Sequence, residues 1–497
     1  MPDQSPKEKS PAKSGSAKKF QAPTGTRDMY PDDLLRARYI EKLWRDTSIR
    51  HGFEEIDGPT FEHLDLYTVK SGEGIVSELF SFRRSGGEKD YALRPEFTPT
   101  LARMYAARAN ALPKPCKWFW MQNCFRAERP QRGRLREFRQ WNCDVTGSQV
   151  GEQNTAGIDA ELVMCVVDAL RMSGLTPREA KIRYSHRQLA NAMLAGCGLV
   201  EEVHDRWLPW IDGLAKMSVD DARQSALKFT TSLVDIYKVI YVFSVSDSTK
   251  QELALNELNR LGAGTNSKEF EEFENRFKDA TEVLEYTEKC LRAIDSWCER
   301  DSSVVRGLAY YTGMVFEVIA EGERAVAGGG RYDNLIELFG GPPTPAVGFG
   351  MGDVVLSLLL EDKGLMPTGR DLVEALSQPG ASLRPDVFVV SNGDDDAESQ
   401  VVPVVAKLRS GIESEAWRDR NDRKPWDDGR YEVRPLHARQ TYKTTRNVGK
   451  LMKDAVSQHA RWIAVIESAE TCMLKNLDTN EQHDNVPIDT IGKRVQG

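Results

Sequence analysis

The chain has 497 residues, of which 40% are hydrophobic and 29% charged, and its length predicts two or three domains. Its net charge of −8 argues against a general nucleic-acid coat protein, so any RNA contact must come from a local patch. No apolar run reaches the roughly 18 residues that a membrane helix needs.

The cysteines and the first twenty residues indicate the cellular compartment in which the protein works. The eight cysteines are scattered and form no C-x-x-C pair, which predicts free thiols in a reducing, cytoplasmic compartment and no structural metal site. Residues 1–20 are rich in Lys, Ser, Pro and Ala and predict a disordered tail. The tail has no arginine and no apolar face, which argues against a transit peptide; a solvated tail or a weak RNA tether remain as alternatives.

The first elements are a helix and a hairpin. A helical pattern follows Pro31, a short strand is predicted at 53–56, and residues 78–83 and 89–93 predict a hairpin. After the hairpin, Glu96 and Thr98 point the same way if the chain is still extended, and a helix follows from Pro99. The plainer alternative is that Thr98 caps this helix and Glu96 is solvated.

An arginine-rich ribbon at 123–147 is the most distinctive stretch. It carries six arginines against three acids, and Pro130 and Gly133 predict a loop of about six residues between two strands. Because side chains alternate along a strand, Arg126 and Glu128 should share a face of the first strand. One face of the second strand carries a set of polar and aromatic side chains: Phe138, Gln140, Asn142 and Asp144. Such a surface suits a nucleotide and a small polar molecule.

The middle of the chain predicts helices. Residues 159–172 form an amphipathic helix, 181–187 a strand, and about 190–300 an inserted helical region without visible chemistry. Beyond it, two apolar strands flank a turn at Gly322, and a triple-glycine loop follows. Arg306 stands alone inside the first of these strands, and a buried arginine must either be paired within the protein or meet an anion.

The last third predicts a strand, a linker and a second domain. Residues 346–360 are a glycine-rich strand running into an apolar helix, without the context of a dinucleotide fold. Residues 364–385 form a linker with three prolines and three glycines. Strands alternate with helices over 386–497, which predicts a small α/β domain. Within it, the charged residues 413–430 predict a surface loop.

Several stretches resemble the histidyl-tRNA synthetase family of class II aminoacyl-tRNA synthetases. The resemblance covers about residues 20–497, in the order of the family. The stretches are GTRD (25–28), LRPEFT (93–98), FRAERPQRGRLREFRQWNCDVTG (125–147), VVRGLAYYTG (304–313), GGGRYDNL (328–335) and TRNVGKLMKDA (445–455). Several independent motifs in the family's order make the resemblance far more specific than any one of them.

The resemblance implies an α+β fold. Residues 21–363 would form a class II catalytic domain with a six-stranded antiparallel sheet, flanking helices and the helical insertion. Residues 386–497 would form an α/β anticodon-binding domain, and the family is commonly a homodimer. The implied activity converts L-histidine and ATP to histidyl-adenylate and pyrophosphate, and then transfers the histidyl group to the 3′ end of its tRNA.

Site residues follow from the same resemblance. Arg126 would hold the α-phosphate and Arg306 would sit across the reacting centre, so both would be catalytic. ATP would enter with Mg²⁺ held largely by its phosphates, and would meet Glu128, Arg134 and the ring of Phe138. The acceptor end of the tRNA would meet Arg129 and Gln131.

The histidine pocket is also implied by the family pattern. The substrate's α-ammonium would go to Glu96, Thr98 and Gln140. Its two ring nitrogens need one acceptor and one group that can donate, which Asp144 and Tyr311 supply. The implied set is Glu96, Phe97, Thr98, Gln140, Asp144, Arg306, Tyr310, Tyr311 and Tyr332.

The chain departs from the family pattern at one important place. An arginine that follows the glycine-rich strand in the family is replaced, since the aligned stretch is Gly352-Asp353-Val354-Val355. This keeps open the alternative of a non-enzymatic paralogue, a histidine-sensing regulatory subunit of the first enzyme of histidine biosynthesis. A third class is an RNA-binding or histidine-sensing module without catalysis.

Overall fold

A computed structural model of the chain describes residues 20–68, 78–147, 152–214, 217–243, 267–306, 310–320, 323–420, 423–443 and 445–496. The predicted tail, apart from Phe20, and the predicted turn at Gly322 lie outside these residues. Within the described residues, no helix is long and apolar enough to cross a bilayer.

The first part of the chain is built on a large mixed sheet. Its strands in chain order are β1 (Glu54–Glu55), β5 (Cys116–Phe125), β6 (Glu137–Thr146), β7 (Ala180–His186), β8 (Cys298–Arg300), β9 (Met314–Ala320), β10 (Ala327–Arg331) and β11 (Ala346–Gly352). They are ordered β1-β5-β6-β11-β10-β9-β7-β8. The six central strands pair antiparallel, while β1 and β8 pair parallel at the two edges. The sheet therefore has eight strands rather than the six that we predicted.

A smaller sheet and a set of helices surround this one. The smaller sheet, ordered β2-β4-β3, contains β2 (Phe61–His63), β3 (Ser81–Arg83) and β4 (Asp90–Leu93), so the predicted hairpin is present. The helices outside the insertion are Pro31–Arg50, Leu64–Thr68, Thr98–Ala106, Glu152–Met172, Leu335–Leu338 and Asp353–Asp362. Those of the insertion are Arg187–Gly196, His204–Leu214, Val219–Ala226, Leu233–Phe243 and Ser267–Leu291.

The two faces of β6 have different roles. Trp141, Cys143 and Val145 are buried in the main hydrophobic core. Trp141 stacks on Trp44 of the helix Pro31–Arg50 at 5.9 Å between ring centroids, and its Nε1 donates to Ser48 at 2.8 Å. The side chains that alternate with them point to the other face, so the helix holds the sheet from behind and leaves that face for a site.

A second sheet lies in the last third of the chain. It is ordered β15-β12-β16-β17-β18 and contains β12 (Val387–Ser391), β15 (Ala438–Gln440), β16 (Trp462–Ile466), β17 (Thr471–Asn476) and β18 (Gln482–Pro487). A pair of short strands, β13 (Ile412–Glu413) and β14 (Tyr431–Val433), lies beside it. Its helices are Asp395–Ser410, Glu415–Arg418, Val448–Ser457 and Ile491–Gln496. The alternation of strands and helices agrees with the predicted α/β arrangement.

Two segments differ from the prediction. The linker 364–385 contains the helix Gly369–Ser377, which packs on the helix Pro31–Arg50. Residues 413–430 are not simply a surface loop, because Trp417 and Arg430 are buried. Arg430 donates to the carbonyls of Arg171 and Met172, which explains why so charged a segment packs inward.

A buried ionic cluster joins the two parts of the chain. Glu161 accepts from Lys117 at 2.8 Å, from Arg409 at 2.9 Å and from Tyr442 at 2.6 Å. Burial raises the pKa of Glu161, but Lys117 and Arg409 outweigh it and hold that pKa well below its usual range. Lys117 of the first part of the chain and Arg409 and Tyr442 of the last third therefore depend on one carboxylate.

Removing that carboxylate should loosen the junction. We expect Glu161→Ala to lower the free energy of unfolding by about 3–5 kcal/mol, because Lys117 and Arg409 would stay buried without their anion. Urea denaturation measures this. Glu374→Ala is the control, since it breaks an exposed pair with Arg370 and should cost under about 1 kcal/mol. Equal effects of the two variants would show that the cluster does not hold the junction.

Candidate active site

A cavity of about 1130 Å³ lies over the large sheet, on the face opposite the core side chains of β6. Its lining includes residues from β6, β9, β10 and β11 and from the connection between β5 and β6. Most of the predicted site residues meet here: Glu96, Thr98, Arg126, Glu128, Arg134, Phe138, Gln140, Arg306, Tyr310, Tyr311 and Tyr332. Phe97, Arg129, Gln131 and Asp144 do not line it.

Arg126 lies just past the end of β5. The strand ends at Phe125, so Arg126 and Glu128 are not strand residues as we predicted, and the connection to β6 is longer than six residues. The Nε of Arg126 donates to the carbonyl of Pro95 at 3.0 Å, and its guanidinium lies 5.3 Å from the ring of Phe138. Glu128 forms an ion pair with Arg134 nearby. Arg126 is therefore oriented without a carboxylate partner among the described residues.

Arg306 reaches the same cavity from a distant part of the chain. It is not inside a strand, because β9 begins only at Met314, and its φ of 51° is left-handed. Its guanidinium pairs with Glu317 and lies against Gly328, where an added Cβ would come within 2.6 Å of it. The predicted triple-glycine loop is in fact part of β10, and its first glycine makes room for the arginine.

Arg306 stays protonated, yet one of its N–H groups has no hydrogen-bond acceptor among the described residues. Burial lowers the pKa of Arg306, but Glu317 together with Tyr311 and Asp212 raises it above its ordinary value, so the side chain stays cationic. Its Nε is buried and finds no acceptor among the described residues. An N–H of this kind can bind an incoming anion.

Arg187, which no sequence pattern singles out, holds the backbone of Arg306. It follows β7 and is buried. Its Nη1 donates to the carbonyls of Val305 at 3.0 Å and of Arg306 at 2.9 Å. These two bonds fix a strained left-handed residue, so Arg187 is a positioning residue for Arg306.

Loss of Arg187 should therefore act through Arg306. We expect Arg187→Ala to lower the turnover number of any reaction that uses Arg306 by about 10-fold or more, with substrate KM values changed less. Steady-state kinetics measures the split between kcat and KM. In an Arg306→Ala background the same change should have little further effect, since the group it positions is gone. Additive losses would mean that Arg187 acts elsewhere.

Glu96 and Tyr310 form one polar wall of the cavity. The hydroxyl of Tyr310 donates to Glu96 Oε2 at 2.7 Å, and Glu96 Oε1 is buried without a partner among the described residues. Burial raises the pKa of Glu96, and the bond from Tyr310 together with Arg126 and Arg306 opposes this. Both arginines thus act on one carboxylate. The alternative of a solvated Glu96 is wrong.

The two residues that follow Glu96 in the chain differ from each other. Thr98 lines the cavity and begins the helix Thr98–Ala106, but its side chain makes no capping bond. Phe97 is fully buried and stacks on Trp120 at 4.3 Å. Its ring does not line the cavity, as the histidine-pocket assignment implied, because it packs in the core against Trp120.

Asp144 lies next to the cavity wall rather than in it. Tyr332 donates to Asp144 Oδ1 at 2.6 Å, and Oδ2 is buried without a partner among the described residues. An added Cβ on Gly348 would lie 1.9 Å from Oδ1, so only glycine fits beside this carboxylate. Burial raises the pKa of Asp144 to about 7, against the bond from Tyr332. It can therefore be an acceptor or a donor near neutral pH.

The arginine-rich connection between β5 and β6 closes one side of the cavity. Arg129 and Gln131 are exposed on it, whereas Gly133 lies against Val355. It rests on the N-terminal GTRD segment, since Arg136 N donates to the carbonyl of Gly25 at 2.8 Å. Arg27 of that segment pairs with Asp353 at 2.7 Å. The motifs recognised in the sequence are thus physically joined.

Comparisons with known proteins show which family the chain resembles. A family profile described as histidyl-tRNA synthetase matches residues 25–353. A histidine–tRNA ligase of Opitutus terrae is 40% identical over 396 residues, which are 79% of this chain and 84% of that protein.

Two solved structures show a related fold. A histidine–tRNA ligase subunit of Alicyclobacillus acidocaldarius aligns with a TM-score of 0.58 at 23% identity, over 70% of this chain and 100% of that one. A Bacillus halodurans protein described as an ATP phosphoribosyltransferase regulatory subunit/histidyl-tRNA synthetase aligns with a TM-score of 0.55 at 21% identity, over 90% and 98%. Identity this low speaks for the fold alone, whereas the profile and the Opitutus relative establish the family. The chain belongs to the histidyl-tRNA synthetase family.

Proposed function

We propose that this chain is a histidine–tRNA ligase. It activates L-histidine with ATP to histidyl-adenylate and pyrophosphate, and then transfers the histidyl group to the 3′ end of tRNA-His. The observation that carries the proposal is the meeting of Arg126 and Arg306 in one cavity, where both act on Glu96. A reaction between two anions needs fixed cations of this kind.

The first step joins two negatively charged groups. A carboxylate oxygen of histidine attacks the α-phosphorus, a new O–P bond forms, and the bond to the β-phosphate breaks to release pyrophosphate. Arg126 and Arg306 are the catalytic residues, because they stabilise the charge that builds up on the α-phosphate. Phe138 stacks on the adenine, and Glu128 and Arg134 contact the nucleotide. ATP enters as its Mg²⁺ complex, with the ion held largely by the phosphates.

Histidine is selected around two carboxylates that each accept a hydrogen bond from a tyrosine: Glu96 from Tyr310, and Asp144 from Tyr332. Glu96, Thr98 and Gln140 receive the α-ammonium group, and Asp144 and Tyr311 bond the two ring nitrogens. Tyr310 and Tyr332 close the pocket around the ring. A site that offers partners to both nitrogens rejects side chains that leave them unpaired, by about 10⁴-fold or more.

Two further parts of the chain contact the tRNA. The exposed Arg129 and Gln131 contact the acceptor end, and residues 386–497 bind the anticodon region. We also propose a homodimer in the cytoplasm, since the family implies this assembly and the eight cysteines are free.

Histidine-dependent ATP–pyrophosphate exchange tests the proposal. Exchange should require L-histidine and should not occur with the other amino acids at equal concentration. Charging of a tRNA-His transcript should follow. Absence of exchange above background at saturating histidine and ATP would contradict the proposal and favour the regulatory-subunit alternative, in which histidine binds without reaction. Its partner would then be the first enzyme of histidine biosynthesis.

A further inference from the structure

Two of the arginines that line the cavity have no carboxylate partner among the described residues, and Arg126 is only one of them. The arginines that line it are Arg126, Arg132, Arg134, Arg183, Arg306 and Arg324. Four of them form ion pairs: Arg132 with Glu323 and Asp362, Arg134 with Glu128, Arg183 with Glu299 and Asp301, and Arg306 with Glu317. Within the described part of the chain, Arg126 and Arg324 pair with no acid.

Arg324 lies where the arginine-rich connection meets the helix after β11. An added Cβ on Gly133 would be 3.6 Å from Arg324 Cδ and 3.3 Å from Val355 Cγ2. Arg324 and Val355 therefore flank the same glycine. Val355 stands at the position where the family pattern has an arginine. Arg324, which comes from another segment, therefore places a cation beside the position of the missing arginine.

Arg324 is exposed at the cavity, and the neighbouring carboxylates do not neutralise its charge. Burial lowers the pKa of Arg324, Arg134 lowers it further, and Glu128 raises it. Glu128 is already bonded to Arg134, so it cannot neutralise both guanidinium groups. The adjacent Glu323 is bound to Arg132 at 2.7 Å, which ties the backbone next to Arg324 to the arginine-rich connection. The backbone beside Arg324 is therefore held in place, while no carboxylate among the described residues neutralises the guanidinium charge of Arg324.

The order of groups along the cavity shows which anion fits. Arg126 lies at the base of the connection, next to the sheet and to Glu96, where the reacting α-phosphate is proposed. Gly133, Arg134 and Arg324 lie at its far end. A nucleotide with its α-phosphate at Arg126 would extend its β- and γ-phosphates along the connection.

We propose that Arg324 binds the distal phosphates of ATP, together with Arg134, and takes the place of the arginine that Val355 replaces. This inference rests on the proposed function, of which it specifies the polyphosphate subsite. AMP, which has no distal phosphates, does not use Arg324.

Equilibrium binding of ATP and of AMP to the full chain tests this without any turnover. In isothermal titration without histidine, Arg324→Gln should weaken ATP binding by about 10- to 100-fold, the effect of one charge-assisted bond, and change AMP binding less than twofold. Arg324→Lys should fall between wild type and Arg324→Gln, because it keeps the charge but loses the planar fork. Arg370→Gln, an exposed arginine outside the cavity, is the control and should change neither affinity.

Two results would overturn the assignment. Unchanged ATP affinity in Arg324→Gln would show that Arg324 meets no phosphate. Equal weakening of ATP and AMP would show that the residue only supports the shape of the cavity. Neither result depends on catalysis. If the wild-type chain showed no exchange activity, the proposed function would be contradicted, and the titrations with ATP and AMP would still decide whether Arg324 binds the distal phosphates.

Discussion

Replacing Arg306 by alanine should lower the rate of histidine-dependent ATP–pyrophosphate exchange by about 10²–10³-fold, with histidine affinity kept within a few-fold. Removal of one preorganised charge at a reacting centre has an effect of this size. Histidine binding should survive because Glu96, Tyr310, Asp144 and Tyr332 form their bonds without Arg306. Exchange kinetics gives the rate, and isothermal titration with histidine gives the affinity.

The control for this variant addresses Glu317. Loss of Arg306 leaves that carboxylate without its partner, which could distort the site. The double variant Arg306→Ala, Glu317→Ala removes both charges and should remain as slow as the single variant. Recovery of activity in the double variant, or a single variant that keeps turnover within a few-fold of wild type, would show that Arg306 is not catalytic.

Asp144→Asn should weaken histidine binding and stabilise the free protein. The carboxylate can accept from the imidazole ring in a way that the neutral amide does not reproduce, so histidine affinity should fall by about 10- to 100-fold. Titration with histidine at pH 8, where Asp144 is mostly ionised, measures this. Unchanged affinity would contradict the placement of Asp144 beside the ring.

The effect on stability follows from the raised pKa. In the unfolded chain Asp144 titrates near 3.8 and in the folded protein near 7, so the folded state binds the proton more tightly. The stability from this proton is present below about pH 4 and is lost as pH rises to about 7. Asparagine does not titrate.

Asp144→Asn should therefore equal wild type near pH 4 and exceed it above pH 7. The rise of the pKa of Asp144 from 3.8 to about 7 corresponds to a gain on the order of 4 kcal/mol. Urea denaturation from pH 4 to pH 8 measures the difference. A variant that is less stable than wild type at pH 8 would show that Asp144 carries no burial cost.

Local sequence patterns predicted the framework well. The ribbon of β5 and β6, the strand–helix unit at 346–360 and the α/β pattern after residue 386 all depend on periodicity within one segment, and all are present. The face of β6 that carries Phe138, Gln140 and Asn142 lines the cavity as alternation required. Binary patterning was sufficient for these elements because each buries its own apolar face.

The errors occur where distant residues determine the local conformation. Arg306 was placed in a strand, but Arg187 and Glu317 hold it in a left-handed turn that no local pattern reveals. The connection after β5 is longer than its turn residues suggest, because the carbonyl of Gly25, at the start of the chain, accepts from the backbone N–H groups of Arg136 and Glu137. Arg324 has no signal in the sequence at all, and only its position beside Gly133 and Val355 marks it.

The convergence of Arg126 and Arg306 on one phosphorus is tested most directly by a crystal structure with ATP and histidinol, which lacks the carboxylate and cannot react. The account predicts a guanidinium nitrogen of each arginine within about 3.2 Å of an α-phosphate oxygen. An α-phosphate bound out of reach of either arginine would contradict it.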